Sequence, residues 1–231
     1  MVKKIFCLCF TVIMLASCAA GGVSVNKSEN KYETDYSEVT AETVKITGIA
    51  DAEFEKSINE ELQKQVDSEL VAFDSLAAEN SSNVRMGNRC ILNISWDERY
   101  NKNSFLSIVE EKYIYTGGAH GTTVRIPKNI DVSGGRTVQL ADLFTDDGYI
   151  TTLNRMINER MSEHSEEYQE LWEKPEIKPE HQTDFYLDGD SLVIFFQPYE
   201  LSYYARGFVE FPLPLDELAG YMKEEYRRLA G

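Results

Sequence analysis

The chain has 231 residues, and its 42% hydrophobic and 27% charged residues are typical of a globular protein rather than a disordered or fibrous one. Lys and Arg total 23 against 39 Asp and Glu, which gives a formal charge of −16. A nucleic-acid-binding protein needs a basic surface to displace counterions, so this balance argues against nucleic acid as a partner. The mean hydropathy of −0.37 argues against a protein that crosses a membrane many times.

The N-terminus has the features of an export signal. Two lysines at positions 3 and 4 precede a mostly apolar run over residues 5–16, which is too short to span a bilayer but suits the core of a secretory signal. The run ends in Leu15-Ala16-Ser17-Cys18, which resembles the bacterial lipobox. In that family of signals the Cys thiol receives a diacylglycerol after residues 1–17 are removed. An ordinary secretion signal, cut near Ala19 or Ala20, is the alternative.

A lipidated Cys18 predicts an extracytoplasmic protein that membrane lipid anchors at the bacterial cell envelope. Because Ala19 is not the Asp that commonly signals inner-membrane retention, the outer membrane is expected if the host has two membranes. Removing residues 1–17 takes away two lysines and no acidic residue, which leaves a charge of −18.

Cys90 is the only free thiol expected in the mature chain, because Cys7 and Cys9 leave with the signal and Cys18 is consumed by the lipid. No internal disulfide can therefore form. After Cys90, every second residue is apolar, as expected for a strand with one buried face. These apolar residues are Leu92, Ile94 and Trp96. The pattern predicts that Cys90 is buried as a small hydrophobic residue rather than exposed as a reactive thiol.

The remaining chain divides into a flexible tether and two modules. The tether is predicted over residues 18–31, because this stretch is polar and lacks an apolar period. The first module covers 32–121 and the second 122–219, with residues 220–231 completing a terminal helix. No repeat or internal linker interrupts 32–231.

The first module combines strands with one long helix. After strand-like alternation over 32–49, apolar residues at spacings of three and four predict a helix from Ala52 to Ala78, with Asp51 as its N-cap. Two antiparallel strands are predicted within 89–115, joined by a turn at 101–103. The second module opens with a third strand at 122–132, which Pro127 places at a sheet edge or a bulge.

Further along the second module, a helix is predicted after the loop at 146–148. The acidic stretch 163–180 is predicted to be a loop with a short helix around 168–172. A hairpin over 185–196, a strand over 208–212 and a terminal helix from Leu215 to Leu229 complete the chain. We therefore expect an α+β fold, a largely antiparallel sheet packed against a long N-terminal helix and further helices, built as one compact unit.

Few residues suggest chemistry. The three histidines do not have the spacing of a zinc site, and no nucleophile or phosphate-loop motif is present, so no metal or cofactor is predicted. The most unusual segment is residues 115–121, in which Tyr115 precedes Gly117, Gly118 and His120. Adjacent glycines allow positive φ and close backbone approach. His120 could contact a ligand or act as an acid–base group, or its ring could satisfy backbone groups of the turn.

A second unusual segment follows Pro198, where three tyrosines, a glutamate and an arginine resemble a recognition surface. Its candidate ligand-contact residues are Tyr199, Glu200, Tyr203, Tyr204 and Arg206. Tyrosine also packs commonly at sheet edges, which is the structural alternative.

Motifs in both modules resemble the PdaC/RsiV-like domain family of bacterial envelope proteins. The first module matches through the helix that begins near Asp51 and through the Gly117-Gly118-Ala119-His120 block. The second matches through three blocks, namely residues 135–144 with Asp142-Leu143-Phe144, then 196–200 with Pro198-Tyr199-Glu200, and 205–207. The resemblance implies an α+β fold and a non-catalytic module, since deacetylase chemistry in PdaC belongs to a separate metal-dependent domain. It also suggests lysozyme as a partner, because RsiV is a lysozyme-binding anti-sigma factor.

The leading functional hypothesis is a non-catalytic, surface-anchored binding or sensing module. Its partner would be lysozyme or another basic protein, which the charge of −18 would attract, or a peptidoglycan glycan. Because residues 85–136 hold eight basic residues against five acids, a glycan or an anionic wall polymer could still meet this part of the chain. The rival hypothesis is a cell-wall hydrolase that uses His120 and Glu200 as acid–base groups.

Overall fold

The computed structural model describes residues 23–81 and 89–231, and within them nine strands form two sheets. The signal peptide and the lipidation site Cys18 lie outside the described residues. No helix in the described part of the chain has both the length and the apolar character needed to cross a membrane.

The strands are β1 (Ser24–Glu33), β2 (Ser37–Thr47), β3 (Cys90–Lys102), β4 (Phe105–Tyr115), β5 (Thr122–Asp131), β6 (Arg136–Thr137), β7 (Phe185–Asp188), β8 (Ser191–Phe196) and β9 (Val209–Pro214). The α-helices are α1 (Ala52–Glu79), α2 (Gly148–Glu163), α3 (Ser165–Tyr168) and α4 (Leu215–Leu218). Short 3₁₀ helices cover Leu140–Leu143, Tyr204–Arg206 and Glu224–Ala230.

The predicted long helix is confirmed almost to the residue. The Asp51 carboxylate accepts hydrogen bonds from the backbone N–H groups of Glu53 and Phe54, both at 3.0 Å, and so caps α1. The helix buries one stripe at three- and four-residue spacing, formed by Ile58, Leu62, Val66, Phe73 and Ala77. The apolar period read from the sequence therefore marks the face that packs.

The predicted tether extends too far along the chain. Residues 24–33 form β1, which pairs antiparallel with β2 from Ser24↔Thr47 to Glu33↔Glu38. This strand has no continuous apolar alternation because it lies at a sheet edge, where backbone hydrogen bonds to β2 hold it and only Val25 is a buried strand residue. Antiparallel pairing with the next strand along the chain, rather than an apolar period of its own, orders the segment.

The larger sheet has the strand order β1-β2-β3-β4-β5-β6, and β2 and β3 are parallel. A parallel pair needs a crossover connection, which α1 provides. The turn between β3 and β4 falls at Asn103 and Ser104, both with φ near +54°, one residue beyond its expected centre. The strand β5, which contains Pro127, lies between β4 and β6 rather than at the sheet edge, but the two-residue β6 pairs with Ile130 and Asp131 and does not reach Pro127.

Contacts divide the chain into two units, each with its own buried residues. The first unit comprises the described residues up to Asp97 together with Glu110–Arg125. Its core consists of the buried stripe of α1 and alternate residues of β2 and β3. Cys90 is one of these residues and is 1% exposed, so its predicted burial is confirmed. The alternate residues that follow it on β3, namely Leu92, Ile94 and Trp96, are also buried.

The second unit comprises Glu98–Val109 and Ile126–Gly231. Its smaller sheet has the order β7-β8-β9, with both pairs antiparallel. The predicted hairpin over 185–196 is formed by β7 and β8, and the five residues from Leu192 to Phe196 on the central strand β8 are all buried. The helix predicted after the loop at 146–148 is α2, which buries Leu153, Met156 and Ile157 on one face.

The predicted continuous terminal helix is wrong. The chain forms the four-residue α4, breaks, and resumes as the 3₁₀ helix Glu224–Ala230. At the break, Met222 makes a β-bridge with Phe144, and the Lys223 N–H donates to the Leu143 carbonyl at 2.9 Å. The backbone is extended at Lys223, which allows this pairing with a segment far away along the chain. Helical periodicity in the local sequence does not indicate such a pairing. The α+β class itself is confirmed.

Candidate binding surface

The Gly117–His120 turn lies in the first unit, directly after β4. Gly117 and Gly118 adopt φ of +110° and +99°, a region that favours glycine. The Tyr115 hydroxyl donates to the Gly118 carbonyl at 3.1 Å. The exposed His120 ring places Nδ1 at 2.8 Å from the Gly121 carbonyl. These candidate residues therefore contact the backbone of their own turn.

A third glycine in this turn has a different role, which sequence reasoning missed. A Cβ atom on Gly121 would lie 2.5 Å from the Ile114 carbonyl oxygen and 2.5 Å from the Tyr113 ring. The constraint is close packing rather than positive φ. Only the fold shows it, because the contacts come from the preceding strand.

The second candidate segment lies in the second unit, where it runs beside residues 167–172. The Trp172 N–H donates to the Leu201 carbonyl at 2.8 Å, and the Ser202 hydroxyl donates to the Glu170 carbonyl at 3.0 Å. Arg206 donates from a guanidinium nitrogen to the Glu167 carbonyl at 2.6 Å. These hydrogen bonds fix two chain segments that are about thirty residues apart in sequence.

The paired segments expose a group of aromatic side chains, which we call the aromatic surface and define as Trp172, Tyr199, Tyr203 and Tyr204. Trp172 is 60% exposed, Tyr199 50% and Tyr203 41%. The rings of Tyr199 and Tyr204 are 5.6 Å apart with a 32° tilt. The sequence analysis identified the three tyrosines but missed Trp172. An exposed tryptophan within an acidic loop would have been the signal to find it.

The backbone around Tyr199 is held in an unusual conformation. Tyr199 has a φ of +72°, which is uncommon for an aromatic residue. The next residue, Glu200, closes the turn: its carboxylate accepts from the Gln197 N–H at 2.9 Å, and its own N–H donates to the Gln197 carbonyl at 3.0 Å. Glu200 therefore stabilises the conformation that presents Tyr199.

Acidic groups border the aromatic surface. The stretch 163–180 contains seven glutamates and two lysines. The Tyr203 hydroxyl donates to the Glu170 carboxylate, and this hydrogen bond raises the pKa of Tyr203. The surface therefore combines large aromatic rings with fixed negative charge, an arrangement that attracts lysine and arginine side chains through both charge and cation–π contacts.

Asp184 is a further titratable group of the second unit that the sequence analysis missed. Burial raises the pKa of Asp184, and the negative charge of Glu200 adds to this, whereas His181 lowers it. The His181 ring also lies edge-on to Phe196, with centroids 6.1 Å apart. Glu200 therefore acts electrostatically on Asp184 as well as closing its own turn.

The two candidate segments predicted from the sequence lie in different units. Tyr115, Gly117, Gly118 and His120 belong to the first unit, and the remaining five belong to the second. Across residues 23–81 and 89–231, no three His, Cys, Asp or Glu side chains converge as a metal-binding group.

Two protein-family models match the chain. A model described as "Deacetylase PdaC" matches residues 30–123, and one described as "Protein of unknown function (DUF3298)" matches residues 141–216. Curated proteins give no match. The aromatic surface lies within the second matched region.

Solved structures support the fold. The chain is similar to a DUF3298 family protein from Bacteroides fragilis, with a TM-score of 0.67 and 20% identity over 89% of this chain and 95% of that one. It is also similar to a DUF3298 family protein from Pseudomonas aeruginosa, with a TM-score of 0.56 and 14% identity over 88% of this chain and 96% of that one.

Proposed function

Because the chain carries a PdaC domain followed by a DUF3298 domain, we propose that it is a non-catalytic extracytoplasmic binding or sensing module, anchored at the bacterial envelope by lipid on Cys18. The deacetylase in the first family's description is not part of the proposal. The sequence resemblance assigns that chemistry to a separate metal-dependent domain.

The observation that carries the proposal is the exposed aromatic surface. Large aromatic side chains dominate the binding energy of protein interfaces, and one exposed Trp and two exposed Tyr lie on two segments that backbone hydrogen bonds join. Tyr199 is fixed by its turn, and Tyr203 is fixed by Glu170. Little conformational entropy is therefore lost when a partner binds these rings.

The partner that fits this surface best is a basic protein, with lysozyme as the first candidate. The glutamates of 163–180 supply negative charge beside the rings, and the whole chain carries −16. Complementary charge speeds encounter and fixes orientation, whereas the rings supply buried area. A peptidoglycan glycan is the second candidate, since aromatic rings also stack on sugars, but the glutamates offer such a ligand no charge attraction.

Binding of the purified protein to lysozyme should be measured by calorimetry at several salt concentrations. We expect Trp172→Ala and Tyr203→Ala each to weaken binding by about 1–3 kcal/mol, which is roughly 5- to 150-fold. Tyr221→Ala is the matched control, because Tyr221 is a 43% exposed tyrosine of the same unit outside both segments. Binding should also weaken as salt rises.

The proposal would be wrong if lysozyme does not bind, or if the three variants bind alike. Binding of wall fragments tests the glycan as a partner. If wall fragments bind the unaltered protein but not Trp172→Ala, the result would favour the glycan over lysozyme.

The hydrolase alternative is tested separately by incubating the protein with wall material. Turnover that His120→Ala or Glu200→Gln abolishes without lowering stability would establish an enzyme. We expect none, because each side chain has a local hydrogen-bonding role in its own turn.

A further inference from the structure

A buried group of polar side chains joins α1 to β4 within the first unit. Glu110 on β4 is 0% exposed, and its Oε2 accepts from the Gln65 amide at 2.9 Å. Lys112 lies two residues further along β4, on the same face, and donates to Glu69 Oε1 at 2.5 Å. Gln65 and Glu69 are one helical turn apart, so both face the strand.

Two carboxylate oxygens in this group lack a donor. Glu69 Oε2 and Glu110 Oε1 are buried, and neither has a hydrogen-bond partner among the residues that the structure describes. The two carboxyl groups belong to the same buried contact between α1 and β4, because Gln65 and Glu69 are one helical turn apart and bond to Glu110 and Lys112 respectively. Two carboxylates buried in one contact repel each other, and the single ammonium of Lys112 balances only one of them. A single proton between them satisfies both oxygens and neutralises the second charge.

We propose that Glu110 and Glu69 share one proton at neutral pH, forming a carboxyl–carboxylate hydrogen bond that holds α1 on β4 and is broken in mildly alkaline solution. Glu110 Oε1–H donates to Glu69 Oε2. Loss of that proton to solvent leaves two carboxylates facing one ammonium group, and their repulsion loosens the helix from the strand.

The charged groups that act on Glu110 are consistent with this assignment. Burial raises the pKa of Glu110 most, the Glu69 charge and hydrogen bond raise it further, and Lys112 and Gln65 lower it, with a result of about 8. On the neighbouring strand β5, Arg125 pairs with Glu111 at 2.7 Å.

The sign of the pH effect follows from proton linkage. In the unfolded chain Glu110 would release its proton near its ordinary pKa of 4.5. Between that value and about 8 the folded state holds the extra proton, so the contribution to stability is present at low pH and is lost as pH rises. For one proton, the folding equilibrium constant falls by at most about tenfold per pH unit across this window.

The test is urea unfolding of the full chain between pH 5 and 9. Glu110→Gln should remove a downward slope that the unaltered protein shows, and Glu69→Gln should reduce it, because Glu110 stays buried but loses the neighbouring negative charge. Glu60→Gln is the matched control, because Glu60 is an exposed carboxylate of α1 in an ordinary ion pair with Lys56. It should keep the slope. A slope in Glu110→Gln equal to that of the unaltered protein would overturn the proposal.

Carbon-13 NMR of the glutamate carboxyl groups gives a second measurement that needs no variant. One side-chain carboxyl should titrate with a midpoint near 8, and its resonance should vanish in Glu110→Gln. Titration of every glutamate carboxyl in the ordinary acid range would refute the shared proton. Amide hydrogen exchange, corrected for the intrinsic rate at each pH, should show protection of residues 62–70 falling between pH 7 and 9. Unchanged protection would refute the loosening of α1.

Discussion

Asn59 offers a sharp test of how α1 is attached to the sheet. Strand β2 pairs with β3 only over Ser37–Ala41, so its later residues need another partner on that side. The Asn59 side chain supplies one: its Oδ1 accepts from the Ile46 N–H, and its Nδ2 donates to the Ile46 carbonyl, both at 2.8 Å. A helical side chain thus takes the place of a neighbouring strand. Asn59→Ala leaves the N–H and the carbonyl group of Ile46 without the Asn59 side chain as a hydrogen-bond partner.

The expected cost can be worked from those two bonds. Ile46 is 0% exposed, so its N–H and C=O have little access to water. An unpaired buried polar group costs about 1–3 kcal/mol, and Asn59 itself is only half-buried, so water can recover part of the loss. We therefore expect Asn59→Ala to lower the free energy of unfolding by about 2–4 kcal/mol.

Equilibrium urea unfolding followed by circular dichroism measures this loss. Gln63→Ala is the control, because Gln63 lies one turn along the same helix, is exposed, and donates a hydrogen bond to the exposed Asp67 carboxylate at 2.9 Å. The small gain in helix propensity on changing an amide residue to Ala is similar at the two positions. The Ile46 amide should also lose exchange protection selectively. A free energy of unfolding for Asn59→Ala within about 0.5 kcal/mol of that for Gln63→Ala would refute the reasoning.

Three further outcomes are expected. Cys90 should react with thiol reagents only after unfolding, because it is 1% exposed and burial raises the pKa of its thiol; rapid labelling of the folded protein would contradict this. Gly118→Val should lower the free energy of unfolding by about 1–2 kcal/mol, because φ is +99° there, whereas His120→Ala should cost under about 1 kcal/mol; thermal melts compare the two. Cys18→Ala should release the protein from the membrane, and mass spectrometry showing an unmodified N-terminal Cys18 would exclude the anchor.

Local patterns in the sequence were sufficient for the elements that bury one face. The α1 stripe, the Asp51 cap, the β7–β8 hairpin and the buried strand containing Cys90 all follow from spacing along a continuous stretch of chain. Burial of one face of a helix or strand imposes a period on the sequence, so the period can be read without knowing the partner.

Tertiary pairing alone decided the rest. The strand β1 is ordered by backbone pairing with the next strand, whereas the break at Met222 and the junction of Trp172 with Leu201 depend on backbone pairing with segments that lie well away along the chain. Main-chain groups are common to nearly all residues, so such pairing leaves no period and no preferred side chain in the sequence. The same holds for the Glu69–Glu110 pair. Each glutamate alone is one of 39 acidic residues, and only the packing of α1 on β4 places two of them against each other out of water.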